Sequence, residues 1–277
     1  MSDTTAGMIE ARKPPPQARR RWGVARIAGV ALCVLWALLG VALVVSLLTG
    51  YDADVFRRYM PRMLEGLWVT AKLVVLSVTI GGLLALPVAL ARMSHNFLVS
   101  KLAFAYVYAF RGTPLLGQVF LLYYGAGQFV DQFQAAGLWW FFRDAYNCVL
   151  LTFILNTAAY QAEIFKTAIE SIPRGQWEAA SSLGLHKSHT FRKIILPQAL
   201  ITALRPLGNE FILMVKSSAV ASIVTVFDLM GATKLAFSRT YDFNVYMWAA
   251  IIYLMIVETL RRVWAVLERR LTRHLER

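Results

Sequence analysis

Charged residues are scarce in this chain: Asp, Glu, Lys and Arg make up 16% of its 277 residues, where a soluble globular domain carries about a quarter. Cysteine is nearly absent. Cys33 and Cys148 are the only two, both in or at the edge of apolar stretches, which argues against a disulfide framework and reads as two small buried hydrophobes. The four histidines, His95, His186, His189 and His274, fall in polar loops or the tail, with no His-Glu-x-x-His pair and no Cys/His cluster at metal-ligand spacing. There is no Gly-x-Ser-x-Gly elbow. Nor is there a phosphate loop: Lys166, Lys187 and Lys216 each precede Ser or Thr, but none follows Gly. The sequence thus offers no catalytic residue, no metal site and no nucleotide loop of its own, and is not read as an enzyme.

What is abundant is apolar. Hydrophobic residues make up 58% of the chain and the mean hydropathy is +0.53. A hydrocarbon layer is crossed by about 20 helical residues, and six stretches approach that requirement: residues 27–48, 73–91, 112–130, 145–162, 204–227 and 243–266. The fifth contains Glu210 and Lys216, and the sixth is apolar until Glu258. The expectation is an all-α membrane protein with about six transmembrane helices.

The net charge of +13 is gathered in places that suit a topology rather than nucleic acid. Basic residues cluster at Arg12, Lys13, Arg19, Arg20, Arg21 and Arg26, in the 92–101 turn, in the 177–200 segment, and at Arg261, Arg262, Arg269, Arg270, Arg273 and Arg277. With six spans these four places share one side, which the excess of Lys and Arg marks as cytoplasmic. Both termini are then cytoplasmic, and the connections at 51–65, 131–144 and 228–242 lie outside; Arg57, Arg58 and Arg62 depart from the rule in the first of these. The tail to residue 26, with Pro14, Pro15 and Pro16, is expected to be flexible and to serve as a topology signal. Residues 27–48 read as a permanent anchor, too long for a signal-peptide core and followed by no small-residue cleavage site.

One polar segment stands out. WEAASSLGLHKSHTFRKIILPQAL runs from Trp177 to Leu200, and within it Glu178-Ala179-Ala180, three residues, Gly184, nine residues, Ile194, one residue and Leu196-Pro197 follow in order. Residues 176–183 favour a helix, Gly184 suits a left-handed turn after it, and a second helical run over 189–196 is expected to stop before Pro197. Ala179 and Ala180 would let a partner approach closely, and Glu178 offers an acceptor at the rim.

This spacing resembles the signature of permease subunits of ABC importers. FRGTPLLGQVFLLYYG from Phe110 and LNTAAYQAEIFKTAIESIPRGQWEAA from Leu155 are similar to polar amino-acid permeases, especially those of histidine, arginine, lysine, ornithine and opine importers. The resemblance covers residues 65–270 and implies a type I ABC importer permease fold with one extra N-terminal helix at 27–48, followed by a short tail at 271–277. It also implies that a loop at about 170–198 is a coupling helix whose Glu178, Ala179, Ala180, Gly184 and Pro197 dock an ATPase. The implied partners are two ATPase subunits using ATP and Mg, a second permease, identical or paralogous, and a periplasmic amino-acid-binding protein, all around a lipid bilayer. No cofactor is expected on this chain. Many relatives carry an acid just after the fifth-span lysine, where this chain has Ser217 and Ser218 after Lys216.

Polar groups at mid-membrane mark the expected pathway. Thr113 beside Pro114 in the third span, Asn156 in the fourth, and Lys216, Ser217 and Ser218 in the fifth lie at similar depth, and Pro114 frees a backbone carbonyl. Ionisable groups at such depth face a partner or a watery cavity. Arg111, Glu163, Glu210 and Lys216 are the candidates, with Lys216 or Arg111 for a substrate carboxylate and Glu163 or Glu210 for its ammonium. Alternatively the four charges pair among themselves, Glu163 with Lys166 one turn away, and the uncharged groups serve as interhelical hydrogen bonds. The rival classes are an ion-coupled secondary transporter, which has no use for the 178–197 projection, and a membrane-anchored scaffold binding anionic lipid or nucleic acid through its basic tail.

Overall fold

The structure, a computed structural model, describes residues 23–273; the expected tail at 1–26 lies mostly outside the described residues, as does the end of the tail at 271–277. Among the described residues all regular structure is helical. The chain divides into two units at Gly50 and Tyr51. The first contributes α1, Val24–Thr49. It is apolar on every face, Trp36 and Leu38 among its side chains, as suits a helix that crosses hydrocarbon.

The second unit comprises α2 (Ala53–Arg92), α3 (Phe97–Gly112), α4 (Leu115–Ala126), two short helices α5 (Val130–Ala135) and α6 (Trp139–Phe142), then α7 (Ala145–Glu170), α8 (Arg174–Ser182), α9 (Lys187–Thr190), α10 (Leu196–Ser217), α11 (Leu229–Thr240) and α12 (Asn244–Thr272). Asp52, Asn96, Asp144 and Asp228 cap α2, α3, α7 and α11 by accepting backbone N–H groups of the first turn. Four helical stretches among the described residues are long and apolar enough to cross a membrane: Val24–Leu47, Ala53–Arg92, Ala145–Glu170 and Lys187–Val224.

The other two expected spans take a different form. Residues 112–130 do not make one helix. Pro114 lacks an N–H and holds Thr113 extended (φ −116°, ψ 147°), so the segment is built from α3 and α4 with a break between them. Lys101 and Arg111 interrupt the apolar run of α3, which hides it in the sequence. Residues 243–266 lie within α12, whose last turns carry Arg269 and Arg270. The helical run after Gly184 also differs from expectation. It does not stop before Pro197 but passes through a π-helical turn, Phe191–Ile195, directly into α10. Pro197 sits in the first turn of α10, where the missing N–H is tolerated because the wider turn has already displaced the usual pairing.

α7 is the central element, packed against α2, α3, α4 and α10. Its closest neighbour is α2, which turns Ser77, Gly81, Ala85 and Ala89 inward, all buried and spaced by four. Small side chains at this spacing let two backbones approach, the usual route to helix association in lipid. On α7 the facing residues include Thr157, Ala158 and Ala162, again buried. At one end of the seam Leu73, Val149, Phe153, Met214 and Val224 pack together; at the other, Ala168, Ile169, Ile172, Ile195 and Ala199 do so.

Gly81 is where the approach is tightest. A Cβ there would lie 3.1 Å from the Ile154 carbonyl oxygen and 3.2 Å from the Ala158 nitrogen, and would press on the Thr157 methyl. Gly81→Ala is expected to destabilise the purified protein by about 1–3 kcal/mol, read as a lower Tm. Gly117→Ala, where nothing lies within 4 Å, is expected to leave the Tm unchanged or raise it.

Candidate functional site

The projecting segment is a rigid build. α8 ends in a Schellman turn: the Leu185 N–H donates to the Ala180 carbonyl (3.0 Å), the Gly184 N–H to the Ser181 carbonyl (2.9 Å), and Gly184 adopts φ +68°. His186 then caps α9, its Nδ1 accepting from the Ser188 N–H at 3.3 Å. Trp177, Phe191 and Ile194 pack onto the cluster formed by Ala168, Ile169, Ile195 and Ala199, so the projection is fastened to α7 and α10. Glu178 and Ala179 are exposed, as is Leu183 at 77%. Ala180 is buried at 2%; of the two alanines only Ala179 faces outward, and the outward apolar contact comes from Leu183, which spacing alone did not single out. Pro197 is exposed at the start of α10. The result is a firm surface element with an acid, a small residue and a leucine turned to the outside.

The second feature is a cavity of about 280 Å³ beside the α3–α4 break, lined by Thr113, Pro114, Asn156, Tyr160, Glu210 and Ser217 among others. The carbonyl that Pro114 frees is that of Phe110, four residues back. It accepts from Gln118 Nε2 (2.8 Å) and Asn156 Nδ2 (3.3 Å). Gln118 also donates to Thr113 Oγ1 at 2.9 Å and accepts from Asn156 Nδ2 at 3.0 Å. Gln118 went unnoticed in the sequence because one amide in an apolar helix carries no signal. It holds the broken helix so that Thr113 and Asn156 line the cavity with much of their hydrogen bonding already used.

Glu210 has more to give. It is 8% exposed, and Thr157 Oγ1 donates to its Oε1 at 3.3 Å. A buried carboxylate hydrogen bonded by a single hydroxyl, at the wall of a cavity of mixed polar and apolar lining, retains acceptor sites for a cation. Ser217 lines the same cavity. Ser218 does not: it is fully buried and donates to the Val215 carbonyl at 2.8 Å. Lys216 is exposed, lies outside the lining of this cavity and forms no ion pair among the described residues.

For Glu163 the alternative of pairing among the four charges holds in part, with Arg111 and not Lys166 as a partner. Its Oε2 is bound by Nη1 of Arg92 and, at 3.1 Å, by Nη1 of Arg111, while Lys166 pairs with Glu170 at 2.8 Å. The expected Glu163–Lys166 pair therefore does not form; two guanidinium groups arriving from α2 and α3 outcompete a neighbour on the same helix. Arg111 also stands over the Tyr160 ring, 5.3 Å from its centroid. Of the two acids expected to meet a substrate, Glu163 is occupied and Glu210 is available. Beside the triad is another cavity, about 250 Å³, lined by Arg111, Tyr160, Glu163, Thr167, Ser171 and Thr202 among others. No group of three or more His, Cys, Asp or Glu residues placed to hold a metal occurs among the described residues.

Comparison with known proteins agrees with this architecture. A family model described as binding-protein-dependent transport system inner membrane component matches residues 77–273. The nopaline transport system permease protein NocM of Agrobacterium fabrum strain C58 is 40% identical over 225 residues, which span 81% of this chain and 93% of that protein. The arginine ABC transporter permease protein ArtM of Escherichia coli K12 is 36% identical over 212 residues, 76% of this chain and 95% of that one. Among solved structures, an amino acid ABC transporter crystallised with histidines matches with a TM-score of 0.69 and 35% identity, covering 79% of this chain and 99% of its own. The MetNI methionine ABC transporter in an inward-facing form shares the fold, with a TM-score of 0.64 at 19% identity over 80% of this chain and 100% of its own. On the strength of a family match running through the projecting segment and both cavities, the chain belongs to the inner membrane components of binding-protein-dependent transport systems.

Proposed function

We propose that this chain is the permease subunit of an ATP-driven importer for a basic amino acid or an opine. The observation that carries the substrate class is Glu210, a buried acid at the wall of a cavity, hydrogen bonded by the Thr157 hydroxyl. Relatives named for nopaline, octopine and arginine transport support it, since each of these ligands carries a guanidinium group. Glu210 would take the cationic end, and Thr113, Asn156 and Ser217 would offer hydroxyl and amide contacts. Lys216, exposed and outside this cavity, has no part in this account.

In this reading both termini and the 170–198 loop are cytoplasmic, as the distribution of Lys and Arg requires. Residues 27–48 form an added leading span, and residues 65–270 the permease core. The chain binds no cofactor. ATP and Mg act on two partner ATPase subunits, a second permease completes the path, and a periplasmic binding protein delivers the substrate. The surface presented by Glu178, Ala179, Leu183 and Gly184 would seat in the ATPase, and its attachment through Trp177 to α7 and α10 would transmit closure of the ATPase pair to the helices lining the cavities.

Two outcomes are expected in proteoliposomes holding the full importer. Glu210→Gln is expected to lower kcat/KM for ATP-driven arginine uptake by about ten- to a hundredfold, matching the ~1.5–3 kcal/mol of a charged hydrogen bond, with glutamine uptake, where present, far less affected. Equal losses for both amino acids would count against Glu210 as the cation site. Gly184→Asp places its new side chain where nothing of this chain lies within 4 Å, at φ +68°, a left-handed conformation that Asp adopts more readily than most residues, so the permease is expected to fold with a modestly lower Tm while uptake is abolished and the isolated ATPase still hydrolyses ATP. Uptake that persists without the ATPase would instead favour an ion-coupled secondary transporter.

A further inference from the structure

The two cavities are consecutive. On α7 the lining residues run Asn156, Tyr160, Glu163, Thr167 and Ser171, and on α10 they run Ser217, Leu213, Glu210, Pro206 and Thr202. Each set is spaced by three or four residues and so occupies one helix face, and both pass from the first cavity to the second. The track along α7 is about 22 Å long at 1.5 Å per residue. Tyr160 lines both cavities.

The charges at the two stations are opposite. The first presents Glu210. In the second, Glu163 carries one negative charge against Arg92 and Arg111, both bonded to the same oxygen. Arg92 is nearly enclosed, its side chain 10% exposed, whereas that of Arg111 is 40% exposed. A guanidinium has five N–H donors, and sharing one carboxylate oxygen leaves Arg111 with most of its own, in a cluster that keeps one net positive charge. That is the geometry that receives a further carboxylate in two-pronged fashion.

We propose that the second cavity is a release station, where Arg111 binds the α-carboxylate of the substrate as its cationic end leaves Glu210 and the molecule passes Tyr160. This rests on the importer reading above, and it assigns to Arg111 the selection of amino acids over amines of the same side chain.

The test is equilibrium binding of labelled arginine and of agmatine, which is arginine without its carboxylate, to the assembled nucleotide-free importer in lipid nanodiscs. Wild type is expected to bind arginine at least tenfold more tightly than agmatine. Arg111→Gln is expected to remove that preference by weakening arginine and leaving agmatine unchanged. Arg111→Lys, which keeps the charge beside Glu163 but not the paired donors, is expected to fall between and to remain readable where the glutamine variant assembles poorly. A purely structural role for Arg111 would weaken both ligands alike. Such parallel loss, an unaltered ratio in both variants, or a wild type without preference would overturn the release station. Glu210→Gln separates the two proposals: if it weakens neither ligand while Arg111→Gln still removes the preference, the cation site fails and the carboxylate site stands.

Discussion

The close approach of α2 to α7 is the constraint on which the rest of the second unit depends. Ser77, Gly81, Ala85 and Ala89 present almost no side-chain bulk, so α7 lies against α2 along most of its length with Ala158, Ala159 and Ala162 fully buried. In lipid, where apolar burial supplies no preference for protein over solvent, such fit is the principal source of association. It also fixes the polar residues of α7. Thr157, which touches the Gly81 seam, is the residue that hydrogen bonds Glu210 on α10, and Gln161 on the same face donates to the Val78 carbonyl at 3.1 Å. Gln161 Nε2 also donates to Thr157 Oγ1 at 3.2 Å, so the buried polar groups are positioned by backbone packing and by one another.

Two helices, α7 and α10, link the surface to the interior. α7 and α10 line both cavities, and the projecting α8–α9 segment sits between them in the chain, welded to their ends through Trp177, Phe191, Ile194 and Ile195. The Schellman turn closes α8, and the π turn passes without interruption into α10. In the importer reading this attachment is what would carry coupling, through the apolar anchor at each end of the segment.

Some of this was legible in the residues. Gly184 announced its left-handed turn by its place after a helix-favouring run, and Pro114 announced a freed carbonyl. What the sequence withheld was tertiary. Glu163 finds Arg92 and Arg111 across 71 and 52 residues, although Lys166 stands one turn away, because charge pairing inside a bundle is decided by which helices meet. Gln118 satisfies the Phe110 carbonyl that Pro114 abandons, yet an isolated amide in an apolar run gives no hint of that duty. α3 was hidden by Lys101 and Arg111, and the helix through Pro197 by the general rule that proline ends helices, which a π turn evades.

The central claim is that the projecting segment and the pathway helices move as one body. It is tested most directly by the distance between spin labels at Ser182 on the projection and Leu213 on α10, in a chain with Cys33 and Cys148 replaced, diluted with unlabelled copies in the assembled importer. The expected result is one narrow distance distribution that is unchanged between the nucleotide-free and ATP-trapped states. A distribution that shifts or broadens on ATP binding would show that the segment bends on its own, and would contradict the account.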